Sequence, residues 1–210
     1  MKRALSCSQL TFAALSSIFL TGCLFRPAAA LPRHFVLAPI PADEANGTPN
    51  SHFSVEIGFV KMPAYLLRDS IAVRTGPNEI EYLENALWGE RLDQGFQRTV
   101  LADLSQSLLS DYPELAEPEP AKKSVRVFIS VHQFDVDTTG RGRLVAQWRI
   151  VGSNSEETLR SGNTGLVRTG VPPLRDPDSI AKTMSDLTAE FSHELARYVC
   201  SSATPGGGST

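Results

Sequence analysis

Among the residues able to do chemistry, Cys23 has the most informative surroundings, because it closes the run Leu20-Thr21-Gly22-Cys23. Thr21 and Gly22 are small enough for a narrow peptidase groove, and the Cys23 thiol is a nucleophile that can take a diacylglycerol. Upstream, Lys2 and Arg3 make a cationic start, and from about Leu10 to Leu20 the sequence LTFAALSSIFL is mostly apolar. Charged start, apolar run and small-residue cleavage point follow one another as in an export signal. The run is too short to cross a bilayer, which takes roughly 20 apolar residues. Residues 1–22 are therefore expected to be a lipoprotein signal peptide, recognised through Leu20, Thr21 and Gly22, with Cys23 lipidated. A plain secretory signal cut after Ala28-Ala29-Ala30 competes, but the spacing of charge, apolar run and cysteine favours the lipobox. Each buried CH2 of the acyl chains adds about 0.8 kcal/mol of membrane affinity, so a spanning helix is not required. Leu24 replaces the aspartate of an inner-membrane retention signal, which points to the periplasmic face of the outer membrane.

The remaining reactive side chains form no constellation in the sequence. Cys7 leaves with the signal and Cys200 is then alone, so it reads as a small buried hydrophobe rather than half of a disulfide. His34, His52, His132 and His193 lack the spacing of a helical metal pair and read as surface residues. Asp135 and Asp137 share a strand face but have no further ligands nearby, and read as a solvated pair. No nucleophile elbow, phosphate loop or dinucleotide fingerprint occurs, so no enzyme activity, metal or cofactor is expected beyond the fatty acid on Cys23. The net charge is −3, and loss of Lys2 and Arg3 makes it more negative, which argues against nucleic acid as a partner.

The elements around these residues are legible from their periods. Residues 24–32 form a Pro/Ala tether, within a lipidated segment 23–33, and 201–210 (SSATPGGGST) are too small and polar to bury anything. PELAEPEP at 113–120 reads as an exposed connector. Between them, residues 34–200 are expected to be one domain. Phe35-Val36-Leu37 is a short first strand. Phe53, Val55, Ile57 and Phe59 alternate with polar or small residues in a second, over 53–62. Residues 71–75 and 79–83 flank Gly76-Pro77-Asn78 as a hairpin. Leu92, Phe96, Val100, Leu104 and Leu108 recur every four residues in a helix over 90–110, where Gly95 suggests close packing on a sheet. Strands over 124–134, 144–150 and 158–169 form an antiparallel meander, with a turn at 137–142. Ile180, Met184, Leu187, Phe191, Leu195 and Tyr198 line a last helix over 176–200. The sum is an α+β two-layer sandwich: a mostly antiparallel sheet with two long helices on one face.

Several of these elements, in this order behind a lipobox, resemble the ABC-type transport auxiliary lipoprotein family. The carriers are the Phe35-Val36-Leu37 strand, then Val55, Gly58, Val60, Pro63, Tyr65 and Leu66, then Ile71 and Arg74. The Gly76 and Asn78 turn, Trp88 with Leu92, and Leu144 with Trp148 complete the likeness. The chain departs from the pattern at Leu87 and Arg91, where arginine and proline are common, and at Ser70. The resemblance implies a non-enzymatic outer-membrane component of a system moving lipids or hydrophobic compounds across the envelope. It implies an MCE-domain (mammalian cell entry) periplasmic protein and an inner-membrane permease as partners, and admits a symmetric homo-oligomer.

The mixture of aromatic, aliphatic and arginine side chains at Pro63, Tyr65, Leu66, Arg68 and Arg74 makes that loop a candidate partner contact. Plugging of the core by Tyr65 and Leu66 is the competing reading, and Trp88 reads as a core residue at the helix start. Three other functions stand beside the adaptor. One is a lipid or small-molecule carrier with a cavity lined by Phe53, Val127 and Trp148. The others are an envelope hydrolase and an assembly factor for an outer-membrane barrel.

Overall fold

The computed structural model describes residues 31–41, 53–111, 123–152, 157–170 and 175–203. The signal peptide, Cys23 with most of its tether, His52, the 113–120 connector and the tail beyond residue 203 lie outside them. Pro32–Thr210 is one compact unit. Its elements run β1 (Arg33–Phe35), β2 (Phe53–Lys61), a 3-10 turn (Ala64–Leu67), β3 (Ser70–Gly76) and β4 (Glu79–Trp88). Then follow α1 (Leu92–Asp111), β5 (Lys123–Asp137), β6 (Arg141–Gly152), β7 (Thr158–Thr169) and α2 (Pro177–Ala203).

Seven strands make one sheet in the order β1-β4-β3-β5-β6-β7, with β2 pairing beside β3 on the same edge of β5. The β3–β4 hairpin and the β5–β6–β7 meander are antiparallel, as the short turns between them require. The pairings β1–β4, β2–β5 and β3–β5 are parallel, so the sheet is mixed, and longer connections link those strands. Both helices lie on one face, which makes the α+β sandwich expected from the element pattern.

The helical periods bury what they should. Leu92, Phe96, Val100, Leu104 and Leu108 of α1 meet Ile180, Met184, Leu187, Phe191 and Leu195 of α2 in one core. At its centre Phe96 contacts the Phe134 ring edge-on at 5.3 Å and the Phe191 ring at 5.9 Å. Cys200 and Trp88 are both buried in this core. Asp176 starts α2 by accepting the Ser179 N–H on its carboxylate, and Pro177 occupies the first turn.

Four local expectations are corrected. The first strand ends at Phe35, and the chain beyond it is claimed by the helices instead of the sheet. Arg98 donates to the Leu37 carbonyl at 2.9 Å, Asp103 accepts the Ile40 N–H at 2.7 Å, and Ser185 Oγ accepts the Ala38 N–H at 3.1 Å. Gly95 makes room for the Glu90 side chain, not for a strand: a Cβ there would lie 3.1 Å from Glu90 Oε1, which Arg98 holds. The last helix runs past Cys200 to Ala203, with the Ser201 and Ser202 hydroxyls turned onto the Tyr198 carbonyl. Asp135 is not solvated; it is buried among hydrogen-bond donors.

Candidate functional site

β5 is flanked on one edge by two strands in succession: β2 along its first half and β3 at its end. The segment between them, with the 3-10 turn, fills the gap this leaves. It carries the residues expected to contact a partner, and they divide by burial. Leu66 is buried, Tyr65 and Pro63 are half-buried, Arg74 is partly covered, and Arg68 is exposed over the Tyr82 ring at 4.7 Å.

Tyr65 and Arg74 converge on Asp135. The Arg74 guanidinium meets the carboxylate through two atoms, and the Tyr65 hydroxyl donates to Oδ2 at 2.8 Å. Gln133 donates to Oδ1 at 2.9 Å, and the Tyr82 hydroxyl donates to the Tyr65 carbonyl at 3.1 Å. Every lone pair of a carboxylate that is 2 % exposed thus faces a donor. Burial pushes the Tyr65 phenol well above its ordinary range, and its bond to Asp135 adds to the rise, so the hydroxyl stays a donor. Arg74 is held above its usual value chiefly by its bond to Asp135. The cluster does structural work: it closes the seam between the hairpin and the meander. Its sequence signal was an aspartate near a strand end with a tyrosine and an arginine far upstream, a pattern without fixed spacing.

Beyond this cluster no described element covers the same sheet face, since both helices lie on the other one. A bulge in β2 shapes it. Ile57 pairs with Val127 and Val60 with Ile129, so β2 carries one extra residue. Strict alternation placed Phe59 with Ile57; the bulge instead turns Val60 inward and leaves Phe59 75 % exposed. Gly58 permits it, because a Cβ there would stand 2.8 Å from Phe128 Cε1. The glycine inside a strand pattern was the missed signal.

Next to Phe59 an open groove of about 570 Å³ runs across β2, β5, β6 and β7. Its side chains are Phe59, Lys61, Phe128, Ser130, Gln147, Arg149, Ser161 and Asn163. Arg149 lies over the Phe128 ring at 5.1 Å. Of the residues expected to line a carrier cavity, Val127 is in the core, Trp148 stacks on Tyr198 at 4.6 Å while also bordering the groove, and the Phe53 side chain lies outside the described residues. His132 and His34 are exposed, and His193 shares a hydrogen bond between its Nδ1 and Ser107 Oγ at 3.0 Å. Among the described residues no three His, Cys, Asp or Glu side chains are placed to hold a metal ion. No helix among them is long and apolar enough to cross a membrane.

Residues 35–196 match the family model described as the ABC-type transport auxiliary lipoprotein component. No curated protein sequence matches the chain. Solved structures share its fold, two of them over most of both chains. A protein described as uncharacterised is 17 % identical with a TM-score of 0.62, over 81 % of this chain and 99 % of the other. A DUF330 protein from Xanthomonas campestris is 14 % identical with a TM-score of 0.57, over 81 % and 95 %.

Proposed function

Since the chain belongs to the family of ABC-type transport auxiliary lipoprotein components, we propose that it is a non-enzymatic adaptor, anchored in the outer membrane through lipidated Cys23. Its partners in this reading are an MCE-domain periplasmic protein and an inner-membrane permease of a system that moves lipids or other hydrophobic compounds between membranes. The observation that carries the reading is the extent of the family match, from the end of β1 to the last turns of α2. A transport path across the periplasm needs a dock on the far membrane, and a lipid-tethered domain supplies one without a spanning helix. The segment from Cys23 to Arg33, fully extended, reaches at most about 35 Å, which keeps the domain near the bilayer surface.

Of the residues first read as the partner contact, Arg68 is exposed, Pro63 is half-buried and Leu66 is buried, while Tyr65 and Arg74 are tied to Asp135. The test is crosslinking of the full-length lipoprotein in its native envelope, followed by capture in detergent and mass spectrometry. Recovery of the MCE-domain protein and the permease supports the adaptor. Recovery of an outer-membrane barrel or of bound lipid alone contradicts it.

A further inference from the structure

We propose that the open sheet face is a docking groove for an acidic segment of a partner protein. The inference rests on the adaptor reading and adds the surface and the chemistry of its contact. The chain as a whole is anionic, at −3, yet this face is cationic. Lys61, Arg143 and Arg149 are exposed on it and make no ion pair among the described residues. Its carboxylates are already engaged. Glu56 pairs with Arg126 at 2.7 Å, and Asp135 pairs with Arg74. Asp137 caps the β5–β6 turn by accepting the Thr139 and Arg141 N–H groups.

Charge complementarity therefore calls for an anionic occupant. The rest of the face narrows the choice. Ser130, Gln147 and Asn163 offer hydroxyl and amide groups, which suit the polar backbone of a peptide. Phe59 stands at the rim beside Arg149 and Phe128, the aromatic and arginine combination that anchors protein interfaces. A lipid surface fits less well. The Phe128 ring is capped by the Arg149 guanidinium instead of presented outward.

The experiment places a photocrosslinking amino acid at Gln147 of the full-length lipoprotein in its native envelope, with exposed Arg197 on α2 as the control position. Crosslinks are mapped by mass spectrometry in the parent and in a Lys61→Glu/Arg143→Glu/Arg149→Glu variant. The expected result is a Gln147 crosslink to an acidic stretch of a transport-system protein, reduced about tenfold or more by the charge reversals. Crosslinks to phospholipid, to a second copy of this chain, or to a partner at undiminished yield in the variant would overturn the proposal. If the triple variant melts below the parent, Arg143→Glu alone repeats the comparison, with a reduction again expected. The two readings fail separately. Absence of the MCE-domain protein and permease from the parent's detergent capture sinks the adaptor. Their equal recovery with parent and variant sinks the groove and leaves the adaptor standing.

Discussion

Arg74 meets Asp135 side-on, with Nε donating to Oδ1 at 3.1 Å and Nη2 to Oδ2 at 2.7 Å. The two residues sit where β3 joins β5 through a ladder of only two register pairs, Val73↔Val136 and Arg74↔Asp137. Among the described residues no other strand pairing ties β1, β3 and β4 to the meander. A bidentate, charge-assisted contact therefore reinforces the shortest seam in the sheet.

Removing one partner of a buried ion pair typically costs about 3–5 kcal/mol. Arg74 reaches water with 23 % of its side chain, so Asp135→Ala is expected to cost somewhat less, about 2–3 kcal/mol. Tyr65→Phe deletes one donor to the same carboxylate and should cost about 1 kcal/mol. Urea unfolding measures both. A loss below about 0.5 kcal/mol for Asp135→Ala would show that the seam holds without the fork.

Gly162 is the cross-strand partner of Trp148, and a Cβ there would stand 2.6 Å from the indole Cζ2. The ring cannot retreat freely, since Tyr198 stacks on it and its Nε1 donates to Thr164 at 3.1 Å. Gly162→Ala should therefore destabilise by about 1–3 kcal/mol and shift the tryptophan emission. An alanine variant with parental stability and emission would contradict the packing described.

Asp103 is fully buried on α1; Oδ1 accepts the Ile40 N–H, and Oδ2 has no hydrogen-bond partner among the described residues. Burial raises its pKa, against smaller opposing effects from the Ile40 N–H and from His193. A carboxyl raised in the folded state costs stability while ionised, and that cost fades as pH falls through the folded pKa towards the unfolded value. Asp103→Asn should thus melt above the parent near neutral pH, with the difference shrinking to nothing at about pH 4. Melting curves across that range decide it. A variant less stable than the parent at neutral pH would mean that the ionised carboxylate is compensated.

What the sequence made legible was whatever obeys a period. Both helices, the β3–β4 hairpin and the meander follow from spacing alone, and Trp88 and Cys200 are core residues as read. What escaped it depends on a break in period or on distant partners. The Gly58 bulge turns Phe59 outward, and only the ring of Phe128 across the strand explains why a glycine stands there. Asp135 looked solvated because its partners, Tyr65 and Arg74, lie 70 and 61 residues away. Leu37 read as strand because burial has the same signature against a helix pair as in a sheet. The groove was invisible for a similar reason: its residues come from four strands, and the polar ones are ordinary on an outward face.

In the proposed adaptor, a lipid on Cys23 couples the outer membrane to an inner-membrane transport system. The most direct measurement follows the MCE-domain protein through separation of crosslinked envelopes on a density gradient. It compares cells carrying the parent lipoprotein with cells carrying Cys23→Ala behind an ordinary secretory signal. With the parent, a share of the MCE-domain protein should travel with the outer-membrane fraction. With Cys23→Ala, that share should fall to background while the unanchored domain remains in the periplasm. An outer-membrane share that does not change between the two would contradict the account.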